Sequence, residues 1–70
     1  MDFKEVNQLF IEGEPIYYEG KKYKRIEAIV WRIIRDDNGK PIKRQTQAEI
    51  LDENNNSVMV VEIGQLKKTL

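Results

Sequence analysis

Neither cysteine nor histidine occurs among the 70 residues. Their absence removes disulfides, thiolate nucleophiles, zinc sites with the usual ligand sets and the commonest general base. The hydroxyls that remain, Ser57, Thr46, Thr69 and the three tyrosines, have no histidine to activate them, and no spacing sets a lysine beside one. A catalytic role is therefore not expected. Asp36, Asp37, Asp52 and Glu53 fall in predicted turns, where carboxylates cap amides and face water. Neither turn carries the regular oxygen series of a calcium loop, so no metal and no cofactor is expected. Long apolar runs are also missing: none approaches the ~20 residues of a membrane span, and the charged start Met1–Glu5 lacks the apolar centre of a signal peptide. Together these features lead us to expect a cytoplasmic protein that does not engage a membrane.

The chain does carry charge, zero in sum and uneven in distribution. Residues 1–20 set Asp2, Glu5, Glu12, Glu14 and Glu19 against Lys4 alone, a net −4. Residues 21–44 set Lys21, Lys22, Lys24, Arg25, Arg32, Arg35, Lys40, Lys43 and Arg44 against Glu27, Asp36 and Asp37, a net +6. The remainder is acidic again, at −2, with Lys67 and Lys68 against Glu49, Asp52, Glu53 and Glu62.

Asp2 followed by Glu5 has the form of a capping box. Phe3, Val6, Leu9 and Phe10 then recur at helical spacing, opposite Lys4, Glu5, Gln8 and Glu12. Gly13 suits the left-handed residue after a helix and Pro15 bars its continuation, so the pattern predicts one helix over about 2–12. From Pro15 the pattern changes to strands over about 15–18, 21–35, 42–51 and 57–63, with a short terminal element over 66–70. The breaks fall at Glu19-Gly20, Asp36-Asp37-Asn38-Gly39, Asn54-Asn55-Asn56 and Gly64-Gln65.

The stretch Tyr23–Arg35 is the expected centre of the sheet. It is apolar on both alternating faces, with Ile26, Ala28, Val30 and Ile34 on one and Ile29, Trp31 and Ile33 on the other, so both need cover. A three-residue hairpin with Gly39 left-handed sets Asp36 against Lys40, Ile34 against Ile42, Val30 against Thr46, Ala28 against Ala48 and Ile26 against Ile50. A two-residue turn instead sets Ile29, Trp31 and Ile33 against Ala48, Thr46 and Arg44. The first is preferred, because Ile50–Met59, Ala48–Val61 and Thr46–Ile63 pairs then extend one apolar face over three strands.

The expected fold class is α+β, mainly β: an N-terminal helix on a strongly bent antiparallel meander of four or five strands in one domain, 1–70. The order of helix, short strand, long strand, two medium strands and short terminal piece resembles the layout of SH3-like and Sm-like small barrels, and the resemblance implies closure of the meander into such a barrel. The segment Glu62-Ile63-Gly64-Gln65 departs from the Sm signature, so ring assembly and RNA binding do not carry over.

Two surfaces stand out as candidates. In the preferred register Ile29, Trp31 and Ile33 share the face opposite the core with Val58 and Val60. Either the helix stripe or the curl of the sheet covers this patch, or it is an interface with a protein partner or a second copy. A tryptophan in either setting is largely buried, so Trp31→Ala should cost more than ~2 kcal/mol of stability or association. The second surface is basic: Lys22, Lys24, Arg25, Arg32, Lys43 and Arg44, interleaved with aromatic rings, form the mixture that nucleic-acid-binding sheets use. There Arg32 should face Arg44, a like-charge pair that would welcome a phosphate or carboxylate. The same cations also suffice simply to solvate a small sheet. A protein-interaction or self-association module is the first expectation and nucleic-acid binding the alternative.

Overall fold

In the computed structural model, which describes all 70 residues, Asp2 caps the helix α1 (Phe3–Glu12): its carboxylate accepts from the Glu5 amide at 2.9 Å. The Glu5 side chain does not complete the box. It pairs with Lys68 at 3.5 Å, tying the helix to the chain's far end. Gly13 closes α1 in the left-handed region at φ 69°, its amide donating to the Leu9 and Phe10 carbonyls.

Half of the residues lie in six antiparallel strands: β1 (Ile16–Tyr18), β2 (Lys21–Tyr23), β3 (Arg25–Arg35), β4 (Pro41–Leu51), β5 (Val58–Glu62) and β6 (Leu66–Lys67). They form two three-stranded sheets, ordered β2-β1-β6 and β3-β4-β5. The expected strand over 21–35 breaks at Lys24, whose amide leaves the β1 ladder and donates to the Leu51 carbonyl at 2.8 Å. The bend lets one segment serve two sheets. The sheets do not close into a barrel: a 3-10 turn over Ile63–Gln65 separates β5 from β6, and β6 pairs only with β1. That turn also takes Ile63 out of the ladder, so β5 ends before a Thr46–Ile63 pair forms.

The core lies where three layers meet. Val6 comes from α1; Ile16, Tyr23 and Leu66 from the small sheet; Ile26, Ala48, Ile50 and Val61 from the large one. Ile50–Met59 and Ala48–Val61 are cross-strand pairs, as the asparagine turn implied.

The register of β3 on β4 combines both readings. At the tip, the Asp36 amide donates to the Lys40 carbonyl and Gly39 is left-handed at φ 82°, the three-residue turn. Arg35 then faces Pro41 but Ile34 faces Lys43, so Ile42 is an extra residue in β4. From there to Ala28 the strands keep the other register, with Ile33, Trp31 and Ile29 opposite Arg44, Thr46 and Ala48. Glu27 is a second extra residue, on β3, and restores the Ile26–Ile50 pair. One bulge on each strand cancels the other. Their effect on side-chain direction is decisive: the Glu27 bulge puts Ile29 on the same face as Ile26, where regular alternation would oppose them. Ala28, Val30 and Ile34, expected in the core, occupy the outer face instead.

Candidate functional site

Beyond Ile29 the β3–β4 hairpin leaves the core. No residue from Glu27 to Gln47 is fully buried. The radius of gyration is 13.2 Å and the long axis 42 Å, against about 11 Å for the radius of a compact 70-residue chain. The hairpin is a projecting arm. Its tip is held by Asp36, whose carboxylate accepts from the Asn38 and Lys40 amides at 2.9 Å, and by the Arg35 guanidinium donating to the Gly39 carbonyl.

On the arm's inner face Phe3, Trp31, Ile33, Arg44 and Thr46 line a groove of about 420 Å³. Helix α1 contributes only its first residue to the groove: the Phe3 ring lies 5.6 Å from the Trp31 ring, tilted by 54°. Trp31 remains 70% exposed, so the expectation of a largely buried tryptophan does not hold within the chain. The apolar stripe of α1 is spent on the core, where Val6 is buried and Leu9 and Phe10 pack at its edge.

The five residues expected to form one apolar face are divided. Ile29, Trp31 and Ile33 lie on the core side of the sheet, with Ile29 packed against the core itself. Val58 and Val60, opposite Leu51 and Glu49, lie on the other side, because the central register follows the second pairing. Ile34 and Ile42 are also exposed on the arm, and alternation alone does not mark them as interface residues. A bulge at Ile42 was the missing signal, and it arises only from the conflict between turn and core registers.

The basic residues are divided as well. Near the base, Lys22 lies 3.9 Å from Glu53, Lys21 4.0 Å from Asp52 and Arg25 3.2 Å from Glu27, while Lys24 donates to the Asn55 side chain at 3.1 Å. On the arm Arg32, Lys43 and Arg44 have no carboxylate partner. Arg32 stands opposite Gln45 and Arg44 opposite Ile33, so the two arginines occupy different faces and the expected Arg32–Arg44 opposition does not form.

A second cavity, of about 360 Å³, lies at the other end of the molecule between the Glu19-Gly20 turn and the last residues, lined by Tyr17, Tyr18, Gln65, Lys67, Thr69 and Leu70 among others. Burial, and then the neighbouring Glu19 carboxylate, push the Tyr18 phenol above its ordinary value of 10.0. No group of three or more carboxylates converges as a metal site, and no helix is long and apolar enough to cross a membrane. Comparison with protein-family models, curated proteins and solved structures finds no match for this chain.

Proposed function

We propose that the protein is a non-catalytic binding module whose recognition element is the projecting β3–β4 arm, with the Trp31 groove receiving an apolar side chain of a protein partner. The observation that carries this reading is Trp31 itself, in tilted contact with the Phe3 ring yet 70% exposed in a groove rimmed by Arg44. Tryptophan and arginine are the residues on which binding energy concentrates at protein interfaces. Ile33 beside Trp31, and Ile34 and Ile42 further along the arm, supply apolar area that a folded monomer has no reason to leave in water. The same proposal takes the fold as an SH3-like small barrel opened between its two sheets, on the strength of its element order, and takes the protein as cytoplasmic.

The test is selection of peptides from a random display library on the wild-type protein and on Trp31→Ala. Peptides enriched only on the wild type, bound with little salt dependence, support the reading; equal enrichment on both baits overturns it.

A second reading, nucleic-acid binding, is favoured by one observation: Arg32, Lys43 and Arg44 are unpaired on the arm, whereas the basal cations have acidic or amide partners. Binding of labelled oligonucleotides that weakens steeply with salt, and again on Arg32→Gln or Arg44→Gln, supports it. Binding that those substitutions leave unchanged removes it.

A further inference from the structure

Every strand edge of this fold but one carries a device that discourages pairing with another chain. In the small sheet β2 is three residues long with Lys21 and Lys22, and β6 is two residues long and ends on Lys67. In the large sheet β3 is bulged at Glu27, carries Arg25, Arg32 and Arg35, and packs against α1. The stretch of β4 beyond the end of β5 bears Pro41, Lys43 and Arg44. These are the features with which natural edges avoid association. Strand β5, Val58-Met59-Val60-Val61-Glu62, has no lysine, arginine, proline or bulge, and its one charge, Glu62, stands at its last position and is engaged by Gln45 of its own chain. Val58, Met59 and Val60 are between 44% and 49% exposed along it.

We infer that β5 pairs with β5 of a second copy, antiparallel about a two-fold axis at Val60, joining two three-stranded sheets into one of six strands. The ladder supplies the donors and acceptors. The Asp52 amide donates to the Ser57 carbonyl at 3.0 Å, which makes that pair hydrogen-bonded. Alternation along an antiparallel pair then directs the amides and carbonyls of Met59 and Val61 toward β4, and those of Val58, Val60 and Glu62 toward the free edge. About a two-fold at Val60, Val58 faces Glu62 of the second copy, Met59 faces its Val61, and the two Val60 residues face each other. No like charges oppose, and Glu62 is held on its own chain by the Gln45 side-chain amide. The zero net charge of the chain leaves no general repulsion between copies. The gain is needed: only nine of 70 residues are fully buried, and domains of this size rest near the lower limit at which one core suffices. The dimer would point its two arms in opposite directions, leaving both Trp31 grooves open.

The experiment is light scattering on the eluting 70-residue chain across a concentration series, with Val60→Lys and Trp31→Ala alongside. Wild type and Trp31→Ala should both reach twice the 8.3 kDa chain mass, while Val60→Lys stays at one chain mass with an unchanged far-ultraviolet spectrum. The introduced lysine faces Glu49 within its own sheet, which favours the monomer fold, but it faces a second lysine across the axis. A wild-type protein of single-chain mass throughout, a higher closed oligomer, or a dimer lost on Trp31→Ala and kept on Val60→Lys overturns the inference. Amide exchange of the wild type provides a second reading should Val60→Lys fail to fold. The Val58, Val60 and Glu62 amides should gain protection as concentration rises; rapid exchange at all concentrations overturns the inference.

Discussion

The base of the molecule and its arm share two strands, β3 and β4, and are held by different physics. In the base, Ile26, Ala48 and Ile50 are sealed between α1 and the small sheet, so each side chain is fixed by its neighbours on several sides. In the arm, Trp31, Ile33, Ile34 and Ile42 are exposed, and order comes from the two-stranded ladder, the Asp36 turn and one Phe3–Trp31 contact. A two-stranded ladder alone is marginal in water, so the arm's order rests on its continuity with the packed base. What the contrast teaches is that apolar character along β3 does two jobs, divided between Ile29 and Trp31.

Substitutions can test this division. Ile50→Ala should be the most damaging, costing about 2–5 kcal/mol through lost burial and a residual cavity at the centre of the base. Urea unfolding followed by circular dichroism measures it, and a loss below about 1 kcal/mol would show that the base is not the stabilising centre. Asp2→Ala removes the cap accepting from Glu5 and should cost about 1 kcal/mol in the same assay. Trp31→Ala should cost about 1 kcal/mol or less, since it forfeits chiefly the ring contact with Phe3. A larger loss would mean that the arm is part of the core. Its main effect should instead fall on partner binding.

Asp36→Ala should leave the global unfolding free energy within about 0.5 kcal/mol of wild type while amides from Ile33 to Lys43 exchange faster. Arm and base would then open independently. Uniformly faster exchange over the whole chain would abolish the distinction. The smallest effect concerns Tyr18. Its phenol is raised in the folded state, so the neutral form is favoured there; the contribution is complete below 10.0 and disappears as pH rises through the higher folded value. Tyr18→Phe should therefore lose less stability than wild type in strongly alkaline solution, as read from denaturation midpoints.

Much of the local structure was legible in the residues. Asp2, Gly13 and Pro15 marked the helix, Glu19-Gly20 and Asp36–Gly39 marked two turns, and the asparagine run marked a third in the register found. These signals act over a few residues, through backbone preferences and caps, and do not depend on what packs nearby. The candidate site was only partly legible. Trp31 and Ile33 were recognised with their correct neighbours Thr46 and Arg44 in one of the two registers weighed, but Val58 and Val60 were joined to them and Phe3, Ile34 and Ile42 were not. A register that changes twice along one pair of strands has no signature in alternation, because each bulge reverses the faces beyond it.

By itself, then, the sequence determined the elements, the turns, the lack of histidine and cysteine chemistry, and the concentration of positive charge between Lys21 and Arg44. The tertiary structure decided which of those charges are neutralised by Glu27, Asp52 and Glu53 and which remain unpaired on the arm. It also decided that Ile29 turns toward the core while Trp31, two residues on, reaches past it into solvent. Composition and periodicity are properties of single segments. Burial is settled by where the helix and the second sheet end, and both end before Trp31 is covered.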